Sequence, residues 1–475
     1  MSQPMQLRNF GCNLQFEPDR YYEPLDEQQV LEILKRHRGK SIRVVGKLHS
    51  WSAAPVGEGI VLSLKHLQEV AIDNNQHGRS AWVGAGCQIK TLLQELAQHG
   101  LTLPSVGLIT EQTIVGAIST GTHGSGRHSL SHYVEAVRIA RYHTMTGEVV
   151  VEEVTGGDEL RAARCSLGCL GVILSVRIQC RPQYSVEEHW REYQNLDQAL
   201  QGEDQYPLQQ FFLLPWRWTF LVQHRRELPS GRSHLAWLYR IYWFVFIDLG
   251  MHLFLMLSAR VVQSRSFVHV LFRHVLPAAV VRNWKVIDNS SEMLVMEHEL
   301  FRHIEMELFV RDKDLPQALE HVRGALVAAG DGSMRSHSRL TDAGVMDCDA
   351  ERLDSLRGRY CHHYPICVRR VLADDTLISM AAGEEQVWYT ISLVSYARPT
   401  DRQGFQKVAE FLAETMAKKF GARPHWGKWC PLTAQQLVSL YSRFDDFRTV
   451  CESRDPKGVF RNPWLSTLFG DRGLR

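Results

Sequence analysis

The chain has 475 residues and a formal net charge of +2 at neutral pH. Its hydrophobic fraction of 44% is enough for two or three domains with complete cores, which excludes a miniprotein held together by disulfides. The near-neutral charge, without any block of basic residues, also excludes a protein that binds nucleic acid through an electropositive surface.

The cysteines and the first residues of the chain indicate its compartment. The ten cysteines are scattered without a CxxC pair, so neither a zinc site nor another metal site is expected. Residues 1–12 lack the basic and then apolar form of a signal peptide. Together these features predict a protein of the reducing cytoplasm.

The first predicted elements are strands that end in glycine. Residues 42–45 are a β-branched run typical of a strand, and Gly46 ends it. The turn that follows presents Lys47, His49 and Ser50. The pattern therefore predicts a strand that delivers a histidine and a serine to one end of a sheet.

The same pattern recurs at residues 81–86, and an amphipathic helix over 91–99 follows and stops at Gly100. The next segment, Glu111–Gly126, reads EQTIVGAISTGTHGSG and is rich in glycine, serine and threonine. A loop is expected here, because glycine inside a helix costs about 1 kcal/mol relative to alanine. Its backbone N–H groups and hydroxyls are suited to a pyrophosphate or another electron-rich ligand.

Residues 235–262 form a strongly apolar segment that includes IYWFVFIDLGMHLFLMLS. Its length is close to that of a membrane span, but Asp248, Gly250 and His252 interrupt it. A single crossing would place the motifs before and after the segment on opposite sides of the membrane. The pattern therefore favours either a buried or re-entrant helix pair or a surface that docks on a membrane.

Further strands and two motifs follow in the second half of the chain. Strands are predicted at Phe211–Leu214, Glu305–Val310, Tyr364–Val371 and Val387–Val394, with a helix at Leu315–Ala329. Near the C-terminus, residues 423–428 read RPHWGK and residues 455–462 read DPKGVFRN. Neither motif alone identifies a function.

The order of VVGKLHS, VGAG, QTIVGAISTGTHGSG, EMELFV, RPHWGK and DPKGVFRN resembles the vanillyl-alcohol-oxidase superfamily. Within it, the sequence is most similar to the sugar-1,4-lactone oxidases and alditol oxidases. The resemblance implies an α+β fold with a PCMH-type, two-subdomain FAD-binding domain over 1–184. It further implies a substrate (cap) domain with an antiparallel sheet over 185–420, and a C-terminal segment over 421–475 that returns to the flavin site.

The resemblance also implies which residues bind FAD. They lie in the two glycine-containing loops and in the LGVI strand: Gly46, Lys47, His49, Ser50, Thr113, Gly116, Ala117, Ser119, Thr120, Gly121, His123, Gly124, Gly171, Val172 and Ile173. His49 holds the position at which many members bond FAD covalently, so a covalent bond there is expected. Leu48 departs from the family's G-x-G-H-S pattern, and its Cβ would limit the approach of the backbone to the pyrophosphate.

The expected catalytic residues also come from the resemblance. Lys428 matches the lysine that lies near the flavin N5 and the substrate oxygen, where a cation stabilises negative charge, and His425 is a second candidate beside it. Arg369 matches the arginine of the family's Glu-x-Arg strand, but Cys367 stands where the glutamate would be. The alignment places Thr390 where the family has a histidine.

The replaced glutamate leaves the general base open. Cys367 would act as a base only with a lowered pKa, which a neighbouring arginine could provide. Glu305 and Glu307 share one face of a predicted strand and could supply a carboxylate instead. Glu305 is therefore included among the catalytic candidates.

Three functions are compatible with these features. The prediction is oxidation of a CH–OH group of a sugar-1,4-lactone or polyol by hydride transfer to FAD, which O2 or another acceptor reoxidises. The replaced glutamate and the 235–262 segment favour an alternative, a membrane-docked flavoenzyme for a larger apolar or lipid-linked alcohol. A flavin-binding protein with a degraded active site is the third. The expected partners are a hydroxylated small molecule and an electron acceptor, with peripheral membrane contact through 235–262.

Overall fold

The computed structural model describes residues 5–75, 78–296, 301–331 and 347–470. The strands are β1 Leu7–Arg8, β2 Gln15–Phe16, β3 Arg20–Tyr22, β4 Ile42–Val45, β5 Ile60–Ser63, β6 Val70–Asn75, β7 Gly78–Gly84, β8 Leu101–Thr102, β9 Arg127–His128, β10 Val134–Tyr142, β11 Val149–Val154, β12 Val172–Pro182, β13 Ser185–Tyr193, β14 Gln210–Leu213, β15 Phe220–Leu228, β16 Val286–Asn289, β17 Ile304–Arg311, β18 Ile366–Leu372, β19 Val387–Ser395 and β20 Arg423–Pro424.

The α-helices are Glu27–Arg36, Ile89–Gln98, Ile114–Ser119, Gly157–Arg164, Leu196–Leu200, Ser290–Met293, Leu315–Asp331, Asp347–Ser355, Gln403–Phe420, Ala434–Ser439, Phe444–Arg454 and Pro463–Phe469. A continuous helix at Ala236–Val262 contains π-helical turns at Trp243–Met251 and Ser258–Val262. A second helix runs through Arg265–Val270, Leu271–Val275 and Leu276–Ala279. We call residues 236–279 the apolar hairpin.

The described residues form three larger sheets and the two-stranded sheet β1-β2. The parallel sheet β3-β5-β4 and the antiparallel sheet β11-β10-β12-β7-β6, with β8 beside β12, form the N-terminal part. The nine-stranded sheet β16-β13-β15-β14-β18-β19-β17-β20, with β9 beside β18, forms the cap. The predicted α+β class with an antiparallel cap sheet is therefore confirmed, and the four strands predicted for the cap are all present.

One local prediction is wrong. The glycine-rich segment contains a short helix, Ile114–Ser119, although a loop was expected throughout. The Thr113 side chain caps this helix by accepting a hydrogen bond from the Gly116 amide. Ile114, Ala117 and Ile118 are buried, so core packing offsets the cost of the glycine inside the helix.

The C-terminal segment connects both parts of the molecule. Its first strand, β20, pairs with β17 in the cap sheet. The chain then returns to the N-terminal part, where the Ile42 amide donates to the Val459 carbonyl over 2.8 Å. The Asn462 side-chain amide lies within hydrogen-bonding distance of the carbonyls of residues 53, 54 and 56. The loops around the candidate site are thus held from both ends of the chain.

The apolar hairpin leaves the cap sheet and returns to it. The strands on either side of it, β15 and β16, both pair with β13. Among the described residues, Ala236–Val262 is the one helix long and apolar enough to cross a bilayer, yet only 17% of its most apolar window is buried. A buried helix pair, one of the two arrangements expected for this segment, is therefore not what the structure shows.

Candidate active site

One large cavity runs from the loops of the N-terminal part to the apolar hairpin. Its volume is about 920 Å³, in the upper range of ligand sites in proteins. Most residues predicted to bind FAD line it: Gly46, Lys47, His49, Ser50, Thr113, Gly116, Ser119, Thr120, His123, Gly171 and Ile173. All five predicted catalytic residues, Glu305, Cys367, Arg369, His425 and Lys428, line it as well.

Four predicted cofactor residues lie behind the cavity wall. The Ala117 side chain is in the core, and the Val172 side chain packs on the opposite side of β12 in a separate core cluster. A Cβ at Gly124 would lie 2.5 Å from the Val106 carbonyl oxygen. Gly121 has a φ of +73°, which favours glycine. These residues shape the backbone of the wall.

The backbone fits a dinucleotide cofactor at the end of the cavity that the glycine-containing loops form. A Cβ on Gly46 would lie 2.5 Å from Thr113 Oγ1, so glycine lets the two loops approach each other. Gly86 is in contact with the Leu64 carbonyl, where a Cβ would lie at 1.9 Å. Leu48 has a left-handed φ of +55°. Glycine adopts this conformation without strain, and the family has a glycine at this position.

The first cofactor loop is fastened to the RPHWGK motif. The Trp51 amide donates to the Gly427 carbonyl over 2.8 Å, and Ser52 Oγ donates to the Trp426 carbonyl over 2.6 Å. The Trp51 indole donates to the His303 carbonyl, just before β17. These bonds place residues from both ends of the sequence around one point of the cavity.

Lys428 occupies that point. Its Nζ lies 2.5 Å from Glu305 Oε2 and 4.6 Å from the centre of the Trp51 ring. The Trp429 amide donates to the Glu305 carbonyl, so β17 and the C-terminal loop hold the pair together. The cation and its carboxylate are both largely buried, and charge-assisted hydrogen bonds of this kind are strong.

A second buried group lies beside this pair. His123 Nδ1 is 3.0 Å from the Gly124 carbonyl, to which it can only donate, and Nε2 is 3.4 Å from Glu307 Oε1. Because both ring nitrogens face acceptors, the arrangement fits an imidazolium paired with a carboxylate. Burial alone would raise the pKa of Glu307, but His123, with His425 and Lys428, lowers it well below its usual value.

His425 is neutral in this cluster. Burial lowers its pKa to about 3. Its Nδ1 accepts a hydrogen bond from the Gly427 amide over 2.9 Å, which leaves the proton on Nε2. Within the described part of the chain, His123, Glu307 and His425 are the one group whose possible metal-ligand atoms lie within 4.8 Å of one another. The ion pair of His123 with Glu307 and the hydrogen bond from the His425 amide to the Glu307 carbonyl hold these residues close together.

The cap sheet presents Cys367 and Arg369 on the face that carries the glutamates. Cys367 lies opposite Ser392, which lies opposite Glu307. Arg369 Nε donates to Gln210 Oε1 over 3.0 Å. Burial raises the pKa of the Cys367 thiol, and Arg369 only partly opposes this. The possibility that Arg369 makes Cys367 a base therefore has no support in the structure.

Two further features of this face were not found by sequence reasoning. Ser392, rather than Thr390, lines the cavity beside Cys367, whereas Thr390 is fully buried opposite Arg369. His303 and Tyr396 also line the cavity. Only the strand register reveals these positions.

The hairpin builds one end of the cavity, and this end is mainly apolar although Arg240 and Asp248 also line it. One side of the long helix contributes Ile241, Phe244, Ile247 and Met251 to the lining. His252 anchors this helix to the sheet, with Nδ1 3.1 Å from the Tyr396 hydroxyl. Burial lowers the pKa of His252 to about 4, so this contact is made by a neutral imidazole.

Comparison with known proteins places the chain in a family. A family model described as D-arabinono-1,4-lactone oxidase matches residues 176–468, and one described as FAD binding domain matches residues 18–152. The chain belongs to the D-arabinono-1,4-lactone oxidase family. It is thus an FAD-dependent oxidoreductase that acts on CH–OH donors, as predicted.

Individual relatives cover the whole length. The chain is 52% identical over 472 residues to a long-chain alcohol oxidase of an uncultured marine euryarchaeote, with 98% of both chains covered. It is 26% identical over 479 residues to the L-gulonolactone oxidase of Mus musculus, with 97% of both covered. A solved structure of a solvent-stable cholesterol oxidase superposes with a TM-score of 0.75 at 14% identity, over 98% of this chain and 97% of that one. This likeness confirms the predicted fold.

Proposed function

We propose that the protein is an FAD-dependent oxidase of long-chain aliphatic alcohols, which it converts to aldehydes. The apolar side chains that the hairpin places in the cavity, Ile241, Phe244, Ile247 and Met251, carry this proposal. An alkyl chain gains about 0.8 kcal/mol for each CH2 group that it buries. A sugar lactone would instead leave hydroxyls facing apolar side chains without partners.

Two other observations support the same substrate class. The glutamate of the alditol-oxidase-like Glu-x-Arg strand is replaced by Cys367, whose pKa is raised by burial, so that the thiol stays protonated. The relative with 52% identity is named for long-chain alcohols. The alternative of a larger apolar alcohol is therefore preferred to the sugar-1,4-lactone or polyol.

We assign roles to the residues around Lys428. When bound, FAD accepts the hydride from the carbinol carbon. Lys428 holds the substrate oxygen and stabilises the negative charge that develops in the site. Glu305, hydrogen-bonded to Lys428, accepts the hydroxyl proton. His123 and Glu307 form a fixed ion pair, and the Nε2–H of His425 is a neutral donor into the cavity.

The remaining residues hold the cofactor and position the alcohol. The lining residues of the two loops and of β12 bind FAD, with a covalent bond at His49. Arg369 is charged and holds Gln210, which forms part of the polar wall. The electron acceptor is O2, so each turnover converts one alcohol and one O2 to one aldehyde and one H2O2. We also propose a cytoplasmic protein with peripheral membrane contact through residues 235–262.

The experiment that tests this function is an anaerobic titration of the purified flavoprotein. We expect 1-dodecanol and 1-hexadecanol to bleach the flavin absorbance, and L-gulono-1,4-lactone and xylitol to leave it unchanged. Admission of air should restore the absorbance and release H2O2 in equal amount to the aldehyde. Bleaching by the lactone alone would contradict the proposed substrate class, and a flavin that no alcohol bleaches would favour a degraded active site.

A further inference from the structure

The outer face of the apolar hairpin exposes a concentrated patch of large hydrophobic side chains. Eighteen such residues are exposed in the described parts of the chain, and all but Met5, Leu25 and Met145 lie between residues 235 and 281. Phe246 is 57% exposed and Phe254 48%. Patches of this size on a soluble protein mark an interaction site.

The long helix of the hairpin has two different apolar faces. Residues 241, 244, 247 and 251 follow a helical period and face the cavity. Phe246 and Phe254 are exposed and do not line it. The face with Phe246 and Phe254 is therefore not needed to build the site. Because this apolar face is exposed in the protein itself, we expect another molecule to cover it.

Membrane spanning does not fit this element. Both ends of the hairpin are fixed to β13, and its second helix, 265–279, is shorter than a bilayer crossing requires. His252 ties the middle of the long helix to Tyr396, and Arg260 Nε ties its end to the Tyr396 carbonyl over 2.8 Å. The helix thus lies flat on the cap with its outer face to solvent.

The charges around the patch indicate which kind of partner binds it. Residues 232–285 contain seven arginines and lysines and a single acidic residue, Asp248. Five of the basic residues are exposed: Arg232, Arg265, Arg273, Arg282 and Lys285. Of these, Arg232, Arg282 and Lys285 also pair with carboxylates of the cap sheet. An apolar helix face with cationic residues at its margins is the composition of helices that lie in the interface of a membrane with anionic lipids.

The cavity reaches the surface within this patch. Ile241 and Phe244 both line the cavity and are 51% and 42% exposed. An opening flanked by these side chains faces the same side as Phe246 and its apolar neighbours.

We infer that the apolar hairpin rests in the surface of an anionic lipid bilayer and that the alcohol enters the cavity directly from the lipid, between Ile241 and Phe244. The route of entry rests on the proposed oxidation of long-chain alcohols; the docking specifies the membrane contact proposed above and does not depend on the substrate. The hairpin is then at once a wall of the active site and the membrane-contacting surface.

Docking is tested by sedimentation of the holoenzyme with vesicles of phosphatidylcholine and phosphatidylglycerol in a ratio of about 3:1, so that about one quarter of the lipid is anionic. We expect the protein to sediment with them, less so with pure phosphatidylcholine and at high salt. The double variant Phe246→Glu/Phe254→Glu should stay in the supernatant with its flavin retained. Met145→Glu, which changes an exposed apolar side chain outside the patch, is the matched control and should bind as the wild type does.

Entry from the lipid is tested by comparing two substrates. The double variant should oxidise dissolved 1-octanol at the wild-type rate but lose at least about tenfold in rate, equivalent to about 1.4 kcal/mol, with 1-hexadecanol carried in the vesicles. Equal loss on both substrates would overturn the entry route. If the wild type oxidises neither alcohol yet binds vesicles, the proposed function fails and the docking stands.

A second copy of the chain is the competing occupant. If the wild type sediments as a dimer in solution, ignores the vesicles, and becomes monomeric in the double variant, the patch is a protein interface and the membrane proposal is overturned. A monomer that ignores vesicles of either composition overturns it as well.

Discussion

The Lys428 ammonium lies 2.5 Å from a carboxylate oxygen of Glu305, and the two residues come from the C-terminal loop and the adjacent strand β17. The pair lines the cavity between the cofactor loops and the apolar hairpin. This arrangement couples a cation to a possible proton acceptor, which is what oxidation of an unactivated alcohol requires. It gives two separate predictions for catalysis.

Replacement of the cation should slow the reductive step. Lys428→Met removes the charge but keeps much of the side-chain length, so we expect the rate of flavin reduction by 1-dodecanol to fall by about 10²–10³. Stopped-flow absorbance under anaerobic conditions measures it. Lys457→Met, at an exposed position in a turn, is the matched control. A fall of less than threefold would rule out Lys428 as the stabilising cation.

Replacement of the carboxylate should remove the proton acceptor. Glu305→Gln keeps the shape and should lower the rate of flavin reduction by about 10²-fold, in the range of general base catalysis. The remaining rate of the variant should be nearly independent of pH, since the amide does not titrate. The exposed Glu452→Gln is the control, and a Glu305→Gln variant with normal rate would leave Glu305 only a structural role.

The hairpin lining should set the preferred chain length. Met251→Trp adds volume at the apolar end of the cavity, so the longest alcohols should lose kcat/KM while shorter ones keep it. Profiles of kcat/KM from 1-octanol to 1-hexadecanol measure the shift. Phe246→Trp, on the outer face, should leave the profile of dissolved alcohols unchanged. A uniform loss at every chain length would contradict the placement of the alkyl chain against Met251.

Covalent attachment of the flavin at His49 can be tested directly on denatured protein. If the bond forms, acid-denatured protein keeps its yellow colour and its band fluoresces after electrophoresis. His49→Ala should release the flavin on denaturation while the folded protein still binds FAD through the other lining residues. Release of FAD from the denatured wild type would contradict the covalent bond. It would show that this chain, which has Leu48 in place of the family's glycine, binds FAD noncovalently.

Stability should fall in mild acid because of buried histidines. Burial lowers the pKa of His321 to about 4, below the value of about 6.5 for an unfolded histidine. Between these values the unfolded chain binds the proton and the folded protein does not, so the free energy of unfolding decreases as pH falls, by about 1.4 kcal/mol per pH unit for this residue. His224, His252 and His363 behave in the same direction.

The test uses denaturant unfolding at pH 7 and pH 5.5. His321→Gln can still hydrogen-bond to Thr415, as His321 Nε2 does over 2.8 Å, but it does not titrate. Its loss of stability on acidification should be smaller than that of the wild type. His66→Gln, at an exposed position, is the control. Parallel curves for wild type and His321→Gln would contradict the prediction.

Much of the cofactor side was predictable because glycine and short motifs report local backbone geometry. Gly46 lies where two loops meet, and most of the residues predicted from these motifs line the cavity. The short helix at Ile114–Ser119 was missed, because burial of Ile114 and Ile118 overrides the poor helix propensity of glycine.

The substrate side was less predictable because it depends on register and on long-range packing. The placement of Ser392 beside Cys367 follows from the pairing of β18 with β19, which no local pattern encodes. The 235–262 segment was recognised as apolar, but only the fold shows that one face lines the cavity and the other lies at the surface. The assignment of catalytic roles remains a prediction for the variants above.

The hydrogen bond from the Ile42 amide to the Val459 carbonyl has a consequence for biosynthesis. The first cofactor loop begins at Gly46, but Asn462, which helps to fasten it, leaves the ribosome about four hundred residues later. The nascent chain therefore cannot close its flavin pocket until Asn462 has emerged. A protein truncated after Asp455 should emerge as an apoprotein that proteases remove, even though both of its large sheets are encoded in full.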